Sequence, residues 1–202
     1  IECFSFVLQK IPDAKLVLVG KYDMDELIGN QKERVTITGL LQKYSIPPSN
    51  IKFVGEVNNV NDYYSSAKVL LLTSNSEGFG MVLNEAACFG VPSVVNYIPG
   101  VEDMIVDGEN GYITKQDDIS SLASRVSDIL LSDDLRKRLS KSASSRVSQF
   151  DATHIGDKWK FLIKNLLAKQ DYETLHSMLS SKIGYVKPSQ LETTLANELN
   201  EI

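Results

Sequence analysis

Short apolar runs, each closed by a glycine or a polar loop and separated by helical stretches, constrain this chain more than any other feature. The runs are residues 15–19 (KLVLV, ending at Gly20), 51–54 (ending at Gly55), 69–73, 93–95 behind Pro92, and 112–113. Between them, residues 1–10 place Phe4, Val7, Leu8 and Ile11 at helical spacing before Pro12-Asp13 stops the pattern. Residues 23–45 read as mostly helical, with Asp25, Glu26, Lys32, Glu33 and Arg34 on the polar face and Pro47-Pro48 as the stop. Residues 60–67 and 81–89 supply two more helices, and 104–106 a helical turn. Strands joined through helices rather than tight turns are parallel, because a parallel pair needs a crossover.

The fold class that follows is α/β: a Rossmann-like, doubly wound parallel sheet with C-terminal helices. From Asp117 onward the chain is helical, with Ile119, Leu122, Ala123, Val126, Ile129 and Leu130 on one face. Leu135, Leu139 and Ala143 point inward from the next helix, and Ile155, Trp159, Leu162, Ile163, Leu166 and Leu167 form a third apolar face, with Trp159 expected in the core. The expected division is a domain over residues 1–168 and a helical appendage over 169–202. The chain opens on Ile1 inside a helix, where the βαβ rule expects a strand first. It is therefore expected to be a piece of a longer protein, with the first strand of the sheet truncated.

Composition narrows the function classes. The 202 residues are 43% hydrophobic and 23% charged with 12 Gly and 6 Pro, values that exclude disorder and fibrous repeats. A net charge of −5 argues against nucleic acid as a partner. Cys3 and Cys88 both sit among apolar neighbours and read as buried, reduced thiols, which with the absence of a signal peptide suggests the cytoplasm. No apolar run reaches membrane-spanning length. The cations Arg136, Lys137, Arg138, Lys141 and Arg146 form a basic helix face, read first as solvated and second as a contact to an acidic polymer or to anionic lipid at the inner face of a membrane. His154 and His176 stand alone, and no metal is expected.

Chemistry is concentrated in residues 73–95, TSNSEGFGMVLNEAACFGVPSVV. A strand ends, a loop with Gly78 and Gly80 turns, and a helix begins. Loops at the carboxyl ends of parallel strands hold ligands, and a helix N-terminus offers free N–H groups to a diphosphate. Glu85 lies five residues past Gly80, roughly 7–8 Å along a helix axis, about the distance from a diphosphate to its ribose. A carboxylate there can accept hydrogen bonds from the ribose diol, with Glu77 facing a transferred group across the phosphate cradle.

Glu77-Gly78-Phe79-Gly80, with Glu85 eight positions on, then Ala86-Ala87, Gly90, Pro92 and Val94-Val95, resembles the signature of glycosyltransferase family 4, retaining enzymes of the GT-B fold. Residues 12–20, 51–55 and 107–112 match as well, so the resemblance covers roughly residues 5–165. It implies one half of a GT-B fold that binds a nucleotide-diphosphate sugar, with Glu77 catalytic beside the sugar hydroxyls. The donor would be held by Gly78, Phe79, Gly80, Met81, Val82 and Glu85, and its base by Val54, Gly55 and Glu56, with Gly20 beside them. The function implied is retaining hexosyl transfer from a UDP-sugar or related donor to a glycan, lipid or protein acceptor, in polysaccharide biosynthesis, with no cofactor beyond the donor itself. The leaving phosphate helps deprotonate the acceptor in such enzymes. The family's diphosphate-neutralising Arg and Lys and its acceptor domain would precede Ile1, so weak donor binding without turnover is expected of this chain alone. The turn at Pro99-Gly100-Val101-Glu102-Asp103 matches more loosely. The alternatives are a non-catalytic nucleotide-binding or interaction module and, behind it, a GT-B sugar-nucleotide epimerase.

Overall fold

Ser93–Asn96 (β4) is the strand around which the rest is arranged. All four of its residues are buried, because it has a parallel neighbour on each edge and a helix on each face. In this computed structural model, which describes residues 1–24 and 35–167, the elements alternate as expected. They are α1 (Glu2–Lys10), β1 (Leu16–Val19), α2 (Ile37–Lys43), β2 (Ile51–Gly55), α3 (Asn61–Ser66), β3 (Leu70–Leu72), α4 (Met81–Cys88), β4, β5 (Gly111–Thr114), α5 (Ile119–Leu131), α6 (Asp133–Val147) and α7 (Ala152–Leu167).

All strand pairs are parallel, and they form two ladders: β1 with β2, and β3-β4-β5. The single doubly wound sheet expected from the sequence is thus present as two pieces, with no strand pairing recorded between β1 and β3 among the described residues. A shared apolar core nevertheless ties them together, since Leu16, Ile51, Val69 and Leu71 all pack against one cluster. Phe4 and Val7 of α1, Val94 of β4, and Leu122, Val126 and Ile129 of α5 form its centre. On the other face of β4, Ser93 meets Leu83 and Ala87 of α4 and Ala143 of α6 around a small void. Helices therefore cover both faces of the larger ladder.

Local chemistry explains the boundaries. Asp118 caps α5 by accepting a 3.0 Å hydrogen bond from the Ser121 N–H. Thr36 caps α2 through Oγ1 and the Gly39 N–H, so this helix starts at Ile37; residues 25–34 of the longer helix expected over 23–45 lie outside the described residues. The turn expected at 104–106 forms earlier, as a 3-10 turn over Val101–Asp103, because Gly100 turns the backbone left-handed at φ 91° just before it.

Four expectations are corrected. The run of residues 15–19 reads as a buried parallel strand, but Val17 and Val19 are 44% and 40% exposed while Leu16 faces the core. Among the described residues the strand pairs along one edge, and it alternates like a half-covered one. Cys3 is buried as expected, and burial pushes its thiol up to about 11; Cys88 is exposed, because it ends α4 beyond the face that Leu83, Ala86 and Ala87 bury. Trp159 is 60% exposed rather than in a core. The basic face of α6 is largely spent within the fold. Arg138 donates to the Gly108 carbonyl, Arg146 donates to the Met104 and Asp103 carbonyls, and Arg136 pairs with Asp133.

The chain divides into two units, Ile1–Val147 and Ser148–Ile202. That division precedes the expected 168/169 boundary, and the appendage expected over 169–202, with His176, lies outside the described residues. No helix among the described residues is long and apolar enough to cross a membrane.

Candidate functional site

The loop between β3 and α4 is built to present backbone. Gly80 is buried and left-handed (φ 62°), a conformation that costs other residues about 1–2 kcal/mol, and it forms the N-cap of α4. No side chain caps this helix. The Leu83 N–H turns back to the Gly80 carbonyl at 2.9 Å. Helix geometry then leaves the N–H groups of Met81 and Val82 at the opening, where the positive end of the helix dipole lies. The side chains of Phe79 and Met81 stand 57% and 65% exposed, so neither is committed to the core. Gly78 is exposed, and a Cβ built there would meet nothing.

Two carboxylates flank this turn in different settings. Glu77 is exposed, and its Oε1 accepts a 2.5 Å hydrogen bond from the Ser74 hydroxyl three residues earlier. A second tie holds the same loop, since Gln116, after β5, donates from Nε2 to Asn75 Oδ1 at 3.1 Å. Glu85 lies one turn into α4 and is half-buried. Its Oε2 accepts a 3.0 Å hydrogen bond from the Tyr64 hydroxyl of α3, and the Tyr64 ring stacks on Phe89. Burial and the bond to Glu85 push the Tyr64 phenol well above its ordinary range, so it remains a donor.

Of the predicted base-side residues, the fold brings Gly20 and Gly55 together. The Gly20 N–H donates to the Gly55 carbonyl at 2.8 Å at the carboxyl ends of β1 and β2, where the register slips by one residue. Both glycines have positive φ, 130° and 81°, and Val54 precedes the second. The Tyr22 and Phe53 rings pack beside them, tilted 48° to one another with centroids 5.0 Å apart. The predicted residues therefore fall into two groups, each at the carboxyl end of a parallel ladder, where open α/β sheets bind ligands.

Sequence reading missed Tyr64, Ser74, Asn75 and Gln116. Ser74 was legible, since a hydroxyl three residues before a carboxylate can bond within one turn. Tyr64 and Gln116 were not, because their partners lie 21 and 41 residues away.

Comparison with known proteins places this geometry. Residues 1–146 match the family model described as Glycosyl transferases group 1. The poly(glycerol-phosphate) alpha-glucosyltransferase of Bacillus subtilis (strain 168) is 24% identical over 94% of this chain, which spans 26% of that protein. Sucrose-phosphate synthase from Thermosynechococcus elongatus superposes with a TM-score of 0.68 at 28% identity, over 84% of this chain and 42% of that one. The Anabaena protein HepE, solved in complex with UDP and glucose, superposes with a TM-score of 0.64 at 20% identity, over 79% of this chain and 44% of its own. The chain thus spans between about a quarter and under half the length of these relatives. With the family model covering the whole first unit but for its last residue, this chain belongs to the group 1 glycosyl transferases.

Proposed function

We propose that this chain is the donor-binding part of a retaining glycosyltransferase of family 4 type, taking a hexose from a nucleotide-diphosphate sugar. The observation that carries the reading is the turn itself: left-handed Gly80 opening an uncapped helix, with Glu77 before it and Glu85 within it. The diphosphate lies against the N–H groups of Met81 and Val82, supported by the backbone of Gly78, Phe79 and Gly80, where fixed dipoles stabilise the charge that grows as the glycosidic bond breaks. Glu85 takes the ribose diol, and Val54, Gly55 and Gly20 line the base. Glu77, exposed at the other side of the turn, faces the hexose hydroxyls.

UDP is the donor nucleotide favoured, supported by the UDP complexes of structural relatives. Retention is supported by the alpha linkage named for the Bacillus relative, which retention gives from an alpha-linked donor. The acceptor, a glycan, lipid or protein, is held by a second, N-terminal domain in this reading, and the work is done in the cytoplasm. Membrane contact rests on Lys137 and Lys141, the exposed cations of α6 that make no hydrogen bond or salt bridge among the described residues.

Calorimetry of UDP, GDP, ADP and their glucose derivatives, run beside Glu85→Ala, tests the donor site. A single nucleotide is expected to bind the wild type and to lose most of its affinity in the variant. A ligand at a hundredfold excess over Kd adds about 2.7 kcal/mol, so thermal unfolding registers even a weak site. Binding of none of the nucleotides would sink the donor reading and leave an interaction module.

A further inference from the structure

Among the described residues, one side chain outside α4 is bonded to Glu85, and it comes from the crossover between β2 and β3. Tyr64 lies on α3 and reaches α4 twice. Its hydroxyl donates to Glu85 Oε2 at 3.0 Å, and its ring stacks on Phe89 with centroids 5.8 Å apart and planes 22° from parallel. Glu85 and Phe89 are four residues apart, hence neighbours on one helical face. The tyrosine therefore lies along that face, its ring fixed at one end and its hydroxyl on the carboxylate at the other.

A glutamate on a helix surface samples many rotamers, and holding it in one costs side-chain entropy when a ligand is bound. A carboxylate already held by a fixed donor meets much of that cost in advance, which is how preorganisation raises affinity. The bond leaves Oε1 and the second lone pair of Oε2 to accept from two adjacent hydroxyls. We infer that Tyr64 is a positioning residue for Glu85, holding its carboxylate in the orientation that accepts the cis-diol of a donor ribose. The inference rests on the donor reading above and deepens it. Tyr64 touches the carboxylate and acts through it; it is not assigned a contact with the ligand.

The test is a double-mutant cycle with Tyr64→Phe, Glu85→Ala and both, in the full chain as its host makes it, read by calorimetry with UDP and with 2′,3′-dideoxy-UDP. Tyr64→Phe keeps the ring on Phe89, so the melting temperature should hold within a few degrees. UDP affinity should fall about three- to tenfold, the cost of immobilising one side chain that is no longer held in advance. The loss should vanish for dideoxy-UDP and in the Glu85→Ala background. A purely structural tyrosine would weaken both nucleotides alike, and that result overturns the proposal. If wild type binds UDP and Tyr64→Phe binds it equally, this inference fails while the donor reading stands. If wild type binds no nucleotide, both fall. A readout independent of ligand is the ultraviolet titration of the phenols: one tyrosine should ionise well above the others and shift down in Glu85→Gln. The absence of such a tyrosine overturns the proposal directly.

Discussion

Glu77 and Glu85 are the same residue type eight positions apart, and their surroundings differ in the way the proposed donor site requires. Glu77 is exposed and, among the described residues, bonded to a neighbour in its own loop, Ser74, which leaves it open to a ligand group that arrives from solvent. Glu85 is half-buried and held from another helix. In a transfer assay on the intact protein, Glu77→Gln should therefore lower kcat by about tenfold to a hundredfold and leave UDP affinity within twofold of wild type. That magnitude is the worth of one hydrogen bond from a sugar hydroxyl to a charged group, lost in the transition state. Equal losses in UDP affinity from Glu77→Gln and Glu85→Ala would show that both carboxylates grip the nucleotide, and the division of labour would be wrong.

At the scale of elements, β5 holds its place because Gly111 has no side chain. A Cβ there would sit well inside contact distance of the Ser93 carbonyl oxygen, which is backbone, and 3.2 Å from Ile105 Cγ2. Neither strand can yield without breaking the β4–β5 ladder. Gly108, three residues earlier, has φ +77° but open space around its Cβ. Gly111→Ala should thus cost about 3 kcal/mol from overpacking, and Gly108→Ala about 1–2 kcal/mol from left-handed strain. Urea unfolding at unchanged m-value reads both, and a reversed order would show that the strand yields where the loop does not.

The elements themselves were legible in the sequence for a related reason. Short apolar runs alternating with helical stretches read as parallel strands, and all five appear within a residue or two of where the pattern puts them. What escaped the sequence was every feature decided by a distant partner. The amphipathic stripe around Trp159 shows which face could be buried, not whether anything covers it, and the ring is 60% exposed. The cations of α6 read as a free face until Arg138 and Arg146 are seen on the carbonyls of Gly108, Met104 and Asp103. The site followed the same division: Gly80 and the helix behind it are local and were readable, whereas Tyr64 depends on where α3 comes to rest.

On the scale of the whole molecule, the two units share one acid-sensitive device. Asp118 and Asp133 lie in Ile1–Val147 and Asp151 in Ser148–Ile202, each at the start of a helix. All three carboxyls are held below their ordinary range: Asp118 by the Ser121 N–H, Asp133 by the Arg136 guanidinium, and Asp151 by the Thr153 N–H. A carboxyl whose folded pKa lies below its unfolded one contributes its stabilisation above the unfolded value, near 3.9 for aspartate, and loses it as pH falls through the folded value. The contribution of these three carboxylates should be flat from about pH 8 to 5 and fade below about pH 4. Asparagine still caps a helix but does not titrate there, so Asp118→Asn and Asp151→Asn should each shrink the acid-induced drop in stability. Trp159, the single tryptophan, lies on α7 and reports the second unit by fluorescence, while circular dichroism follows both. Asp151→Asn should alter the acid transition of the fluorescence and Asp118→Asn that of the dichroism. If both variants lose stability with the wild-type acid profile in both signals, the caps do not set the acid limit.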